Sequence, residues 1–485
     1  MTLPKGWLQL DFAEITPPQA PIIYGILQPG PEVENGVFYV RPSEIDDGEI
    51  TLDDLRRTSQ AIAHRYERSS LEPDDVILSI VGTIGKVAVV PPALAGANIT
   101  QSSCRIRPDK ALLYDRFLAD FLRSPLAKAQ FADKRLGTAV PRLNIADIRE
   151  FSIGLPPVAE QRRIVSKLNA LTARIALARA ELDRVPVLAE KLRQSVVVDA
   201  FSGRLSEGLR RASPLKAEDD EHLDNLFTQR TEAKRKKPAA AIDWQPKLAI
   251  PDEWRWVSVD RVIAIAQYGS SSKTDENSDG VPVLRMGNIQ SGELDFSNLK
   301  YLPLGHHEFP DLLLTDGDVL FNRTNSFELV GKSAVFRGAS RPMSYASYLI
   351  RLQCCGILPD LLVRYLNSPL GRSWIESVAS QQVGQANVNG TKLRSLGIPL
   401  PSEEEQLEMK RLMDVAFARA DRLEAEAARA QKLLDRLESA ILAKAFRGEL
   451  MPQDPKDEPA EKLLERIRAQ REAAPKPKRG RRTAS

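Results

Sequence analysis

Two stretches of the chain have the spacing of apolar residues that is typical of long helices packed along a seam. In both, apolar side chains recur at alternating intervals of four and three residues for about three heptads. The first seam is mostly bulky and consists of Ile164, Leu168, Leu171, Ile175, Ala178, Leu182 and Val185. The second is mostly alanine and consists of Met409, Met413, Ala416, Ala420, Leu423, Ala427 and Ala430. Because small side chains let backbones approach closely, the pattern predicts long helices whose seams pack on each other. The alternative is two unrelated amphipathic helices, each packed on its own domain.

The regions that precede these helices have mixed patterns. Apolar runs such as 75–80 and 318–321 indicate strands, and the stretch 112–122 indicates a short helix. Together with the long helices they predict an α+β protein. Two α/β domains would be separated by two long antiparallel coiled-coil helices.

Several motifs occur twice at a constant distance. Gln161 and Gln406 stand in similar contexts, and so do Asn144 and Asn389. The segment FSGRL at 201–205 recurs as FRGEL at 446–450. A constant offset across separate motifs indicates an internal duplication with pseudo-two-fold symmetry, because unrelated segments would not keep one spacing. The predicted boundaries are 1–157 for the first domain, 158–205 for the first helix, 206–250 for a linker, 251–401 for the second domain, 402–450 for the second helix and 451–485 for a C-terminal helix and basic tail.

The overall charge does not point to a particular partner. The chain has 68 basic and 65 acidic residues, a net charge of +3, so nucleic-acid binding would require basic residues that cluster in space. Two of the three cysteines, Cys354 and Cys355, are adjacent, which predicts a reduced, cytoplasmic protein. No run of apolar residues is typical of a secretion signal or a membrane span.

No motif indicates catalysis. Gly331-Lys332-Ser333 resembles part of a phosphate-binding loop, but Ser326 stands where that loop needs a glycine, and the following residues indicate a strand. Gly82 to Lys86 occupy the matching place in the first repeat, so hairpin turns are predicted at both. An adenine-methyltransferase motif and a metal-ligating cluster around the histidines are also missing. We therefore expect a chain without catalytic residues or bound metal.

Polar loops in matched places are the candidates for reading DNA bases. Arginine can pair with guanine through two hydrogen bonds, and asparagine can do so with adenine. The candidate contacts in the second domain are Asn322, Arg323, Thr324, Asn325, Gln385 and Asn387, and those in the first are Lys86, Gln101, Thr138 and Arg142. The alternative is that asparagine-rich loops only form turns.

The recurring helix ends are candidates for binding a partner protein. Phe201, Gly203, Phe446 and Gly448 recur together in the two copies. The alternative is that the glycines only terminate the helices in a left-handed conformation.

These motifs resemble the specificity subunits of type I restriction-modification systems. The resemblance rests on DGDVLFNRTNSFELVGKSAVF from Asp316, GQANVNGTKLRSLGIPLP from Gly384, GTAVPRLNIADIREFSIGLPP from Gly137 and the two helix-end motifs. It covers nearly the whole chain. It implies two target-recognition domains, each reading one half of a split DNA target, and helices that fix the unspecified spacer. The region 17–70 departs most from the sequence pattern of the family.

The resemblance also implies the partners. Two methyltransferase subunits would methylate adenine with S-adenosylmethionine, and translocase-nuclease subunits would use ATP and magnesium, with no cofactor in this chain itself. Two other functions stay open at this point. One is the specificity subunit of a modification-only or phage-exclusion complex, and the other is a coiled-coil structural protein unrelated to DNA.

Overall fold

The computed structural model describes residues 3–46, 48–137, 140–213, 216–232, 236–382 and 385–473. They divide into two units that do not follow the linear order of the chain. Unit 1 contains 1–183 and 428–485, and unit 2 contains 184–427. The last long helix therefore contributes residues to both units.

Unit 1 begins with short strands and ends its first segment in a long helix. Its strands are β1 (Leu8–Asp11), β2 (Ile23–Tyr24), β3 (Val37–Val40), β4 (Ile45–Asp46), β5 (Glu49–Ile50), β6 (Arg56–Thr58), β7 (Val76–Ser79), β8 (Val87–Val89), β9 (Asn98–Ile99), β10 (Ser103–Ile106) and β11 (Ser152–Leu155). Its helices in this segment are α1 (Gln60–Arg65), α2 (Asp115–Arg123), α3 (Pro125–Lys134), α4 (Ile145–Arg149) and α5 (Val158–Asp183).

Unit 2 has the same alternation of strands and helices. Its helices are α6 (Val185–Phe201), α7 (Glu207–Ala212), α8 (Asp220–Thr231), α9 (Pro359–Asn367), α10 (Pro369–Val378) and α11 (Gly390–Arg394). Its strands are β12 (Arg255–Ser258), β13 (Ile263–Tyr268), β14 (Val281–Leu284), β15 (Ile289–Gln290), β16 (Glu293–Leu294), β17 (Lys300–Leu302), β18 (Val319–Asn322), β19 (Thr324–Asn325), β20 (Ser333–Val335), β21 (Ser344–Tyr345), β22 (Leu349–Cys354), β23 (Ser380–Gln382), β24 (Gln385–Asn387) and β25 (Gly397–Leu400). Helix α12 (Glu403–Phe446) follows and contributes to both units, and α13 (Ala460–Ala473) belongs to unit 1.

A four-stranded antiparallel sheet lies at the centre of each unit. The strand order is β2-β10-β7-β8 in unit 1 and β13-β22-β18-β20 in unit 2. In β7, Leu78 belongs to the apolar cluster on one face and Ile77 to the cluster on the other. In β18, Phe321 and Leu320 divide in the same way. Burial on both faces explains why these strands are continuous apolar runs instead of alternating ones. The protein has a mixed α/β fold.

The two hairpin turns predicted from the sequence are confirmed. Strand β7 pairs with β8, and β18 pairs with β20, both antiparallel. Gly85 and Gly331 have φ angles of +95° and +90°, which side chains other than glycine rarely adopt. Because Ser333 begins a strand and not a helix, the phosphate-binding loop stays excluded.

The two long helices differ at one proline. Helix α5 ends at Asp183, and α6 begins at Val185 with a proline in its first turn. Pro186 has no backbone N–H and cannot continue the hydrogen bonds of α5. In α12 no proline occurs, and the helix runs for 44 residues without interruption.

The seam residues pack within their own units, on partners other than those predicted. In unit 1, Ile164 lies in one core cluster with Phe446 from the end of α12. In unit 2, Met409 lies in one core cluster with Phe201 from the end of α6. The prediction that the bulky seam packs directly on the alanine-rich seam is therefore wrong. An antiparallel pairing brings the start of one long helix to the end of the other, whereas periodicity carries no information about register.

Polar side-chain contacts link the long helices within each unit and show their direction in unit 1. Arg179 of α5 pairs with Asp435 of α12 at 2.8 Å, and further along α5 Asp183 accepts a hydrogen bond from Gln431 Nε2 of α12 at 2.5 Å. The residue number of the partner in α12 falls as the residue number in α5 rises. Helix α5 and the end of α12 therefore run antiparallel. In unit 2, Arg193 of α6 pairs with Glu424 at 2.7 Å.

The region 206–250 is more than the linker that the sequence predicts. It contains α7 and α8, and Leu223 of α8 is buried in the core of unit 2. Trp244 forms a bridge with Leu396, and Gly397 donates a backbone hydrogen bond to Trp244. The sequence predicted a linker because the segment is rich in charged residues and proline. It contributes only a few apolar residues to the core, which composition alone does not reveal.

Candidate nucleic-acid interface

A small three-stranded sheet gathers most of the predicted base contacts of unit 2. Strand β19 pairs with β24, and β24 pairs with β23, in the order β19-β24-β23. Thr324 lies opposite Asn387, and Asn325 lies opposite Ala386. The Asn387 Nδ2 atom donates to Thr324 Oγ1 at 2.7 Å. Residues about 60 positions apart in sequence thus form one polar edge, with Gln385 exposed at its end.

Arg323 stands at the start of this edge. Its guanidinium lies over the ring of Tyr268, with 4.8 Å between Cζ and the ring centroid. It donates to Ser347 O and to Asn387 Oδ1, both at 3.5 Å. Since both distances are at the outer limit for a hydrogen bond, most of its donor capacity remains for a ligand.

Asn322 does not belong to the exposed edge, which contradicts its prediction as a base contact. It is the last residue of β18, its side chain is fully buried, and neither amide atom has a hydrogen-bond partner among the described residues. Because β18 is covered on both faces, a side chain at this position points into the body of the unit whichever face it takes.

The predicted contacts of unit 1 lie in different environments. Arg142 is exposed and forms bridges with Val81 and Leu136, which is the place that Asn387 occupies in unit 2. Gln101 is exposed as well, and its backbone N–H donates to Ile26. Thr138 lies outside the described residues.

Lys86 is tied to its own unit. Its Nζ atom donates to the carbonyl of Ile45 at 2.7 Å, and its backbone N–H donates to Ser79 Oγ. The side chain is half-buried. A DNA contact by this ammonium would have to replace that bond, so the structure favours a structural role.

Two exposed tyrosines in matched places were missed in the sequence. Tyr24 pairs with Cys104 in β10, and Tyr268 pairs with Ile350 in the corresponding strand β22. Their exposed fractions are 45% and 43%. Each is followed by a glycine at which a Cβ atom would collide with a backbone carbonyl. The sequence does contain a signal for these tyrosines, because the Tyr-Gly pair occurs twice with almost the same spacing as the other repeated motifs.

A cavity adjoins the polar edge of unit 2. Its volume is about 450 Å³, and its lining includes Asn325, Lys332, Arg285 and the half-exposed Tyr348. No carboxylate lines it. A basic and aromatic lining beside a polar edge suits phosphate and base contacts.

The recurring phenylalanines of the helix ends are buried, which contradicts their prediction as partner contacts. Phe201 packs on Tyr365 in unit 2, with ring centroids 4.9 Å apart. Phe446 packs on Phe117 and Phe121 in unit 1, at 5.0 Å and 5.4 Å. Each phenylalanine completes the core of its unit and is unavailable to a second protein.

The glycines of the same motifs terminate the helices. Gly203 and Gly448 have φ angles of +77° and +74°. A Cβ atom on Gly203 would lie 2.3 Å from Pro251, and one on Gly448 would lie 2.3 Å from Pro4. Conformation and close packing both require glycine here, so the structural alternative accounts for these positions.

Comparison with known proteins shows which family the chain is similar to. Residues 34–186 match the family model of the type I restriction modification DNA specificity domain. The chain is 26% identical to the EcoKI specificity subunit of Escherichia coli K12 over 496 aligned positions, with 97% of each chain covered. The chain is therefore similar, over nearly its whole length, to the specificity subunits of type I restriction-modification systems. It is also 24% identical to the StySPI specificity subunit of Salmonella potsdam, with 97% and 96% covered.

Solved structures share the fold of this chain. The HsdS subunit of Thermoanaerobacter tengcongensis aligns with a TM-score of 0.57 at 24% identity, over 93% of this chain and 99% of the other. A chain from a study of type I restriction-modification complex assembly aligns with a TM-score of 0.59 at 23% identity, over 93% and 100%.

Two further observations concern what the described part of the chain does not contain. In it, no group of histidine, cysteine and carboxylate side chains is arranged to hold a metal ion. Within the same ranges, no helix has the length and apolar character needed to cross a bilayer.

Proposed function

We propose that this specificity subunit reads a split DNA target, with unit 1 on one half-site and unit 2 on the other. The observation that carries the proposal is the polar strand edge found at the same place in each unit. In unit 2 it presents Arg323, Thr324, Asn325, Gln385 and Asn387, and in unit 1 it presents Arg142. Gln101 is exposed elsewhere in unit 1. These are side chains that discriminate base edges in the major groove.

The proposal includes an internal duplication. The central sheets have the same strand order, and the backbone bonds at their edges correspond: Leu143 donates to Ile80 at 2.9 Å, as Val388 does to Arg323 at 2.9 Å. Two related readers on one chain suit a target with two halves.

The long helices would form an antiparallel coiled coil that fixes the unspecified spacer. Helix α12 has 44 residues, or about 66 Å at about 1.5 Å per residue, and one turn of B-DNA is about 34 Å. Ion pairs such as Arg179–Glu438 and Arg193–Glu424 link the helices and would hold their register.

The chemistry would belong to partner subunits. We propose that two methyltransferase subunits supply S-adenosylmethionine and the pocket for the target adenine, and that translocase-nuclease subunits supply ATP, magnesium and cleavage in the cytoplasm. The chain itself would act without cofactor as a non-catalytic reader. The buried helix-end phenylalanines do not serve as docking residues in this scheme.

The test is to express the chain with its methyltransferase subunit and to map methylated adenines across the genome. We expect a motif of two short half-sites at a fixed separation. The purified chain alone is the control and should not transfer methyl groups. One uninterrupted motif, or methylation unchanged when the chain is left out, would refute the proposal.

A further inference from the structure

The backbone of Arg323 is held on both sides. Its N–H donates to Tyr348 O at 3.0 Å, and its carbonyl accepts from Val388 N at 2.9 Å. Only the side chain is left to determine where the guanidinium lies.

The ring of Tyr268 is the main contact of that guanidinium. The ring lies 4.8 Å from Cζ, whereas the two hydrogen bonds are both 3.5 Å long and Nε is buried without a partner among the described residues. A guanidinium stacked on an aromatic face keeps its N–H groups directed outward in its own plane. Stacking therefore orients Arg323 without using up its donors.

Tyr268 is itself fixed at two points. Its backbone pairs with Ile350 of β22, and its hydroxyl accepts from the backbone N–H of Gly390 at 2.8 Å. A Cβ atom on Gly390 would lie 3.1 Å from that hydroxyl, so the glycine leaves room for it. The ring is a fixed platform although nearly half of it is exposed.

Unit 1 keeps the tyrosine but not the arginine. Ile80, which is 3% exposed, makes the backbone bonds that Arg323 makes in unit 2. Its N–H donates to Ser102 O at 2.8 Å, and its carbonyl accepts from Leu143 N at 2.9 Å. The arginine of the unit 1 edge is Arg142, on the strand where unit 2 has Asn387.

We propose that Tyr268 is a positioning residue that presents Arg323 to a guanine of the second half-site, and that the described residues of unit 1 form no equivalent arrangement. The proposal rests on the proposed function, because it needs unit 2 to read one half-site. Asn387 assists from the other side, since its Nδ2 donates to Thr324 and its Oδ1 accepts from Arg323.

The experiment measures sequence preference position by position. The complete chain, co-expressed with its methyltransferase subunit, selects from DNA libraries randomised at each half-site. Tyr268→Leu removes the aromatic face, and Tyr268→Trp retains it. Tyr24→Leu is the matched control in unit 1. Thermal unfolding of each variant checks that the units are intact.

We expect Tyr268→Leu to weaken the preference for guanine at one position of the second half-site by about threefold to thirtyfold. Tyr268→Trp should restore most of the preference, which a merely structural role for the hydroxyl would not allow. In an Arg323→Lys background, Tyr268→Leu should have little further effect, because the tyrosine acts through the arginine.

Three results would overturn the inference: an unchanged preference in Tyr268→Leu, an equal loss of binding on all sequences, and effects of Tyr268→Leu and Arg323→Lys that simply add. Failure of the proposed function would look different. In that case Tyr24→Leu would alter the same half-site as Tyr268→Leu, or the unsubstituted chain would select no split motif.

Discussion

The strand edges of the two units have the same backbone and different side chains. At the end of the central strand, unit 2 has Arg323 where unit 1 has Ile80, and on the neighbouring strand unit 1 has Arg142 where unit 2 has Asn387. The backbone bonds that place these residues depend on no side chain. A scaffold of this kind can change its DNA preference by substitution at a few positions without loss of fold.

The ion pairs of the aspartates that directly precede β7 and β18 differ in a similar way. In unit 2, Arg351 Nε lies 2.8 Å from Asp318 Oδ2, and both side chains are almost fully buried. In unit 1, the corresponding Asp75 pairs through both oxygens with Arg107, which is 18% exposed and also contacts Glu72. The unit 2 pair has less access to water. Removing one of its two charges should therefore destabilise the fold more than the same change in unit 1.

The largest expected effect comes from the helix-end phenylalanines. Phe446→Ala should destabilise unit 1 by about 3–5 kcal/mol, because it leaves a cavity beside Phe117 and Phe121. Phe201→Ala should act on unit 2 instead. Hydrogen exchange measured peptide by peptide separates the two, and Leu177→Ala, at a site 70% exposed, is the neutral control. Equal loss of protection in both units after either substitution would contradict the assignment.

Substitution of the buried aspartates sharpens the comparison of ion pairs. Asp318→Asn should cost about 3 kcal/mol or more, because Arg351 would keep its charge in a buried place without a carboxylate. Asp75→Asn should cost clearly less, since Arg107 retains Glu72 and partial access to water. Denaturant unfolding of the two variants, followed by hydrogen exchange in each unit, shows which variant loses more stability. A larger loss for Asp75→Asn would reverse the argument.

Arginine substitutions test the different reading of the half-sites. Arg323→Ala should cost about 1–3 kcal/mol of binding and relax one position of the second half-site only. Arg142→Ala is the counterpart and should relax the first. Binding to DNA libraries varied in one half-site at a time gives the answer. Uniform weakening on every sequence would make either residue a phosphate contact instead.

The smallest effect depends on pH and should be confined to unit 1. Burial raises the pKa of Asp120 from 3.8 to about 6, against the opposing influence of nearby Arg123. The folded state therefore holds this proton more tightly than the unfolded state. The carboxyl group therefore does not reduce the free energy of unfolding below about pH 4. It reduces it progressively between about pH 4 and pH 6, and by a constant amount above that range.

Asp120→Asn should accordingly stabilise unit 1, by roughly 1 kcal/mol more at pH 8 than at pH 5. In unit 2 the same place in α9 holds Arg364, which pairs with Asp414 and lies 4.8 Å from the ring of Phe417. Thermal unfolding at the two pH values measures the difference. A gain that does not depend on pH would show that the carboxyl group is ionised at both.

The local sequence pattern was sufficient to predict those features of the fold that have a local physical cause. The break at Pro186 follows from a missing N–H, and the hairpins at Gly85 and Gly331 follow from turn chemistry between apolar runs. The repeated motifs and the resemblance to a family also follow from the order of residues alone. The sequence likewise predicted that the segment after β18 and the segment before α11 carry polar candidates at matched places.

Tertiary structure decided which of these residues share an environment. Asn322 and Arg323 are neighbours in the chain, yet one is buried and the other stacks on Tyr268, because β18 is covered on both faces up to its last residue. Phe446 completes the core of unit 1, more than 300 residues from Phe117 in sequence, because the long helices pair antiparallel. Such pairings depend on long-range register, which the periodicity of one segment does not encode.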